Sequence, residues 1–331
     1  HDVCMVPLSV LDLAPIVEGG DVATALAASR ELAQDVERLG YRRFWIAEHH
    51  GMPGIASAAT SLCIAHVASA TKTIRVGAGG IMLPNHAPLV IAEQFGTLEA
   101  LFPGRIDLGL GRAPGSDPVT AHALRRDPHR AAESFPDDVV ELRSYFQPGG
   151  RPGRVRAVPG EGLDVPLWIL GSSLFGAQLA AALGLPYAFA SHFAPAQLEE
   201  AIALYRRRFQ PSAQLDAPYV MLAVNVFGAD TVPEARRLAT TIEQAFVALR
   251  RGTPGQLAPP REGYRESLGP ADRAVLEHAL ACSFYGPEDT LRKGMQAFVE
   301  RTGADELIVT APIHDPAARL RSFELAAAAA A

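Results

Sequence analysis

A three-part phrase, amphipathic helix then glycine then apolar strand, recurs along the chain and restricts its fold more than any other feature. Asp21 is placed to cap a helix in which Val22, Leu26, Ser29, Ala33 and Val36 fall at helical spacing. Gly40 stops that helix, and the bulky run Phe44-Trp45-Ile46-Ala47 follows as a strand. The phrase returns as Leu183-Gly184 before Tyr187 to Ala190 and as Thr302-Gly303 before Glu306 to Val309. Helices between successive strands imply parallel pairing, since a tight hairpin joins only antiparallel strands. Further apolar runs at Val6 to Leu11, Ile74 to Gly77, Arg105 to Gly109, Pro166 to Leu170 and Tyr219 to Val226 give about eight βα units, the number that closes a (β/α)8 barrel.

Two stretches interrupt the alternation. Arg112 to Asp164 holds one predicted helix, Asp138 to Phe146, and the Gly/Pro/Arg-rich loop Pro148 to Gly162. Arg250 to Gly286 opens with Gly252, Pro254, Gly255, Pro259 and Pro260, which resist helix and strand alike, and continues with a predicted helix over Ala271 to Ala281. Both follow strands on one side of the barrel, so both are expected to form lids over its mouth.

Composition fits a folded globular protein: 48% hydrophobic, 20% charged, mean hydropathy +0.10. A net charge of −6 without a clustered basic face argues against a nucleic-acid partner. Cys4, Cys63 and Cys282 are far apart and lack zinc-ligand spacing, which argues against a disulfide framework or structural zinc and fits a reducing cytoplasm. The apolar start, Val3 to Leu13, is too short to span a bilayer and no basic region precedes it, so neither a membrane span nor an export signal is expected. One domain is expected over 1–325, with 326–331 as an alanine tail that either extends a helix or is a cloning remnant.

In such a barrel the reacting groups come from the C-terminal ends of the strands. Those ends are rich in chemistry: Glu48-His49-His50 after the second strand, Gly79-Gly80 after the third, Gly111-Arg112 after the fourth, Gly171-Ser172-Ser173 after the fifth and Ser191-His192 after the sixth. Glu48-His49-His50 admits three readings: half a metal site, histidines satisfied by packing or solvent, or a histidine that faces a cofactor and moves a proton near neutral pH. The third is preferred and no metal is expected, because no matching acidic or Glu/His group ends the last strands. Gly171-Ser172-Ser173 opens the helix Phe175 to Leu183, where amides and hydroxyls suit a phosphate, although a serine there also serves as a plain N-cap. Arg112 is either a fixed cation beside a glycine-rich turn or one partner of a loop salt bridge.

Four strings, Ala47-Glu48-His49-His50, Val76-Gly77-Ala78-Gly79-Gly80-Ile81-Met82-Leu83-Pro84, Phe102-Pro103-Gly104-Arg105 and Gly109-Leu110-Gly111-Arg112-Ala113-Pro114-Gly115, resemble in order and spacing the bacterial luciferase-like flavin monooxygenase family. The resemblance continues through Leu170-Gly171-Ser172-Ser173 and Gly184-Leu185-Pro186. It implies a luciferase-like (β/α)8 TIM barrel, with insertions after strands 4 and 7, that binds reduced FMN from a separate flavin reductase and reacts it with O2. Carried over by position, His49 and Arg112 are the catalytic pair. Ala78, Gly79, Gly80, Gly111, Gly171, Ser172 and Ser173 line the cofactor, with a non-proline cis peptide at Ala78-Gly79 and the phosphate at the two serines.

Gly111 stands where luciferase has a reactive cysteine, and Ser172 where it has an acidic residue, so neither light emission nor an aldehyde substrate is implied. The expected activity is oxygenation of a hydrophobic small molecule such as a polyketide intermediate, as in antibiotic biosynthesis. The alternatives are an oxidoreductase using the deazaflavin F420 and a non-catalytic flavin-binding protein. Ser57 to Ala70 and Leu89 to Phe102 carry apolar residues beyond one barrel-facing stripe. They match the helices through which the family dimerises, or simply share the chain's alanine-rich composition.

Overall fold

The glycines of the recurring phrase end their helices in the left-handed region. Gly184 and Gly303 each have φ 64°, where a Cβ is disfavoured, and the Leu185 amide closes back on Ala180 O at 3.0 Å to turn the chain into the next strand. The computed structural model describes residues 5–113, 118–124, 133–149 and 155–331. Cys4, Pro114, Gly115 and residues 150–154 of the Pro148 to Gly162 loop lie outside the described residues.

In chain order the elements are β1 (Leu8–Asp12), α1 (Val22–Arg38), β2 (Arg43–Ile46), α2 (Thr60–Ala68), β3 (Arg75–Met82), a single 3-10 turn (Leu83–Asn85), α3 (Pro88–Leu101), β4 (Ile106–Gly111), α4 (Pro118–Ala123) and α5 (Phe135–Tyr145). There follow β5 (Leu167–Gly171), α6 (Leu174–Leu183), β6 (Tyr187–Phe189), α7 (Leu198–Arg208), β7 (Val220–Gly228), α8 (Val232–Arg250), α9 (Tyr264–Ser267) and α10 (Pro270–Ala279). The chain ends with β8 (Ser283–Gly286), α11 (Glu288–Thr302), β9 (Glu306–Thr310) and α12 (Pro316–Ala330). Asp21 caps α1 as expected, its Oδ1 accepting the Thr24 amide at 2.8 Å.

Strands β1 to β7 pair in sequence and in parallel, and β9 bridges β7 back to β1, which closes the expected eight-stranded (β/α)8 barrel. Alternate side chains face two cores. Val10, Phe44, Ile46, Val76, Leu108 and their neighbours pack outward under the helices. Leu11, Trp45, Trp168, Met221 and Ile308 fill the barrel, where the two indoles meet edge to face at 5.1 Å.

The N-terminal end of the barrel is closed by buried charges. Arg43 reaches Asp107 at 2.7 Å and Glu306 at 2.9 Å, Arg75 reaches Asp107 at 2.6 Å, and the Tyr219 hydroxyl donates to Glu306 at 2.7 Å. Each carboxylate is fully buried yet multiply bonded, which is the condition for tolerating a charge in a barrel interior. Only the opposite end is left for a ligand.

β8 is an addition to the sequence reading. Tyr219 O accepts the Tyr187 amide of β6, and the Asn225 amide, six residues on and so on the same edge of β7, donates to Cys282 O. β8 therefore extends β7 on the edge that short β6 leaves open, in register Asn225↔Ser283 to Gly228↔Gly286. The insertion after strand 7 is accordingly larger than Arg250 to Gly286. It takes in α8, and α11 is the helix that returns the chain to β9.

Within this insertion α10 occupies the predicted helix, and Val247, Tyr264, Leu268, Leu276 and Leu280 form a small core of their own. Leu257 exchanges main-chain hydrogen bonds with Ile16 and Glu18 at 2.9 Å each, which ties the insertion to the loop after β1. Residues 326–330 complete α12, where Ala326 and Ala329 are buried in the outer core. Cys63 and Cys282 are free thiols, and no helix among the described residues is long and apolar enough to cross a membrane.

Candidate active site

At the exit of β2, consecutive residues take different surroundings. Glu48 is buried, and its Oε1 accepts from His50 Nε2 at 2.6 Å and His86 Nε2 at 2.8 Å, while Oε2 accepts the Met82 amide at 2.8 Å. Burial alone would raise this carboxyl, but those hydrogen bonds prevail and hold it at about 2. His50 is raised in return by its bond to Glu48, against a smaller opposing effect of burial. His49 is lowered, chiefly by burial and further by His50, with Glu48 opposing. A neutral imidazole thus stands beside a charge-assisted clamp that joins the exits of β2 and β3.

The possible ligand trio is Glu48, His50 and His86, whose donor atoms lie within 4.8 Å of one another. His49 is not part of it. His86 was missed in the sequence because 38 positions separate it from Glu48, and only closure of β2 on β3 brings the two together.

The cis peptide is at Gly79-Gly80, which corrects Ala78-Gly79 by one position. Ala78 is still in register opposite Leu108, with its side chain buried in the outer core. The ladder slips only between Ala78 and Ile81, so the irregular bond falls on the two glycines that follow. A Cβ on Gly79 would lie 2.7 Å from Leu11 Cδ1, and one on Gly80 would lie 2.8 Å from Gly109 O. The strand exit is therefore as close to the barrel interior as bare backbone permits. Gly111, by contrast, is uncrowded, its nearest neighbour for a Cβ being Ile81 O at 3.9 Å.

Beside β4, β5 ends at Gly171 and Ser172-Ser173 lead into α6. Ser173 has the extended N-cap conformation, but its hydroxyl makes no capping bond, so the first amides of α6 keep their hydrogen-bonding capacity. Its carbonyl is held by the Tyr187 hydroxyl at 3.1 Å. The Arg112 guanidinium lies over the Phe175 ring at 4.1 Å, which brings this cation from the exit of β4 to the first turn of α6. Amides, two hydroxyls and an arginine together make an anion cradle.

The exit of β6 adds a residue absent from the expected site. His192 is lowered to about 3, mainly by burial and also by the charge of His49. Its neighbours are fixed: Ser191 Oγ donates to Ala223 O at 2.6 Å, and Asn225 Nδ2 donates to His192 O at 2.6 Å and Ser283 Oγ at 3.0 Å. The sequence signal was the Ser191-His192 pair at a strand end, without any sign of what it faces.

The barrel agrees with comparisons to known proteins. Residues 7–306 match the family described as luciferase-like monooxygenase. The chain is 52% identical to a luciferase-like monooxygenase of Escherichia coli (strain K12), over 97% of this chain and 96% of that one. It is 36% identical to the N-acetyl-S-alkylcysteine monooxygenase of Bacillus subtilis (strain 168), over 75% of each chain. The crystal structure of apo-MsnO8 superposes with a TM-score of 0.90 at 39% identity, covering 98% of both chains. This chain belongs to the luciferase-like monooxygenase family and is an oxygenating enzyme.

Proposed function

We propose that the barrel mouth binds reduced FMN, delivered by a separate flavin reductase, and oxygenates a hydrophobic small molecule at the expense of O2. The observation that carries this reading is the unengaged Ser172-Ser173 turn at the start of α6, with Arg112 beside it. An anionic phosphate fits that cradle, and the planar ring system fits the bare Gly79-Gly80 backbone two strands along the ring. Bound reduced FMN supplies the electrons with which O2 is activated. His49, held neutral by burial, takes or returns a proton. Leu13, Leu170, Phe175 and Phe193 give the mouth apolar surface for substrate. A polyketide intermediate is the substrate class inferred for that surface from the sequence resemblance.

The same reading includes a cytoplasmic homodimer. Leu62 on α2 and Leu101 on α3, two helices that pack on each other, are exposed by 71% and 61% and offer aliphatic surface to a second copy.

Because solved structures that share this fold hold FMN or an F420 adduct, the test compares the two. The protein is titrated anaerobically with reduced FMN or reduced F420, and O2 uptake is followed after air is admitted. Saturable binding of FMN with protein-altered O2 uptake is expected. Binding and hydride exchange with F420 alone would overturn the reading.

A further inference from the structure

The exits of β2 and β6, which carry His49 and His192, stand at the same end of the barrel on opposite sides of the ring, four strands apart in either direction. The two nitrogens of His192 differ. Nδ1 is buried without a hydrogen-bond partner, whereas Nε2 is not enclosed, and the residue as a whole keeps partial contact with solvent. The residue stands at a strand exit, the end of such a barrel that takes ligands.

The burial pattern favours one of the two neutral tautomers. An N–H buried without an acceptor is rarer and costlier than a buried lone pair, so Nδ1 carries the lone pair and Nε2 the hydrogen. The main chain on either side is locked by Ser191 and Asn225, and the ring is held edge-on to Phe193 at 4.7 Å. His192 is thus a rigid N–H donor. Among the described residues, no acidic group acts on it as Glu48 acts on His49.

We propose that His192 is a ligand-binding residue whose Nε2–H donates a hydrogen bond to a carbonyl oxygen of the flavin ring bound in the mouth, opposite His49. This rests on the FMN reading above. It divides the labour of the two imidazoles, His49 free to exchange a proton and His192 confined to donating a hydrogen bond. A neutral donor favours an uncharged, carbonyl-bearing ring without adding a proton that would compete for the chemistry.

The test combines histidine-labelled nitrogen NMR with anaerobic titration of reduced FMN into wild type, His192→Leu and His192→Gln; the glutamine places an amide N–H near the position of Nε2. In the free wild type, His192 is expected as the neutral Nε2–H tautomer throughout pH 5 to 8, and its Nε2 resonance is expected to move when FMN binds. Affinity for FMN should fall about tenfold in His192→Leu and recover in part in His192→Gln. Protonation of His192 near the ordinary histidine range, or an Nδ1–H tautomer, would overturn the proposal. So would FMN binding that leaves the His192 resonance unmoved and is equally tight in all three proteins. If FMN binds to none of them, the FMN reading falls and takes this proposal with it, a result distinct from equal binding by all three.

Discussion

At the residue scale, Glu48 and the serines of the α6 turn make separable predictions. Glu48→Gln removes the charge shared by His50 and His86, and should cost about 1.5–3 kcal/mol at neutral pH because charge-assisted hydrogen bonds inside the protein are lost. The pH dependence has a definite sign. The lowered Glu48 carboxyl contributes stability fully above its ordinary value of 4.5 and loses it as pH falls toward about 2. The raised His50 contributes fully below 6.5 and loses its share as pH rises through its folded value. Urea denaturation of wild type and variant should therefore differ most between these limits; a difference independent of pH would show that the clamp acts without charge. Ser172→Ala and Ser173→Ala should weaken FMN far more than riboflavin, by about 1.5–3 kcal/mol for each phosphate bond lost. Because Ser173 makes no capping bond, its removal should leave the melting temperature unchanged. Equal losses for the two ligands would move the phosphate elsewhere. His49, Arg112 and the serines were legible as residues at strand ends. His86 and His192 were not selected, because their meaning depends on strands that meet only in the closed barrel.

At the element scale, the insertion after β7 is anchored at its edge by the Leu257 main-chain bonds and inside by its own small core. Deleting residues 252–260 removes the anchor and spares the cofactor cradle. FMN affinity should stay within a few-fold, while product formed per reduced flavin consumed should fall as water enters and hydrogen peroxide is released. A fully coupled deletion variant would make the segment a structural insertion only. Helix α3 offers a packing test: a Cβ on Gly96 would lie 2.4 Å from Gly160 Cα, so Gly96→Ala should destabilise by about 1–3 kcal/mol, read by denaturant midpoint. The eight barrel strands could be read from the sequence because left-handed glycines and apolar runs punctuate them. β8 could not, since Ser283–Gly286 is short, half-buried and without alternation. The true start of the insertion was also hidden, because Val232–Arg250 has the amphipathic pattern of an ordinary barrel helix.

At the scale of the whole molecule, one end of the barrel is sealed by charge and the other is open to chemistry. Asp107 alone receives Arg43, Arg75 and the Trp45 indole N–H, so Asp107→Asn should cost about 3–5 kcal/mol by leaving buried guanidinium groups short of a counter-charge. Residual folded protein should still bind FMN, since the site lies at the far end; parallel loss of binding and stability in the folded fraction would contradict this separation. Sedimentation should give the mass of a dimer at micromolar concentration, and a polar pair at Leu62 and Leu101 should shift it to the monomer. A crystal structure of the FMN complex decides whether the mouth between β2, β3, β5 and β6 is a flavin site. The ring is expected against Gly79-Gly80, between His49 and His192, with the phosphate in hydrogen-bond reach of Ser172 and Ser173. A phosphate bound away from the start of α6, or a ring that touches neither histidine, would contradict the account.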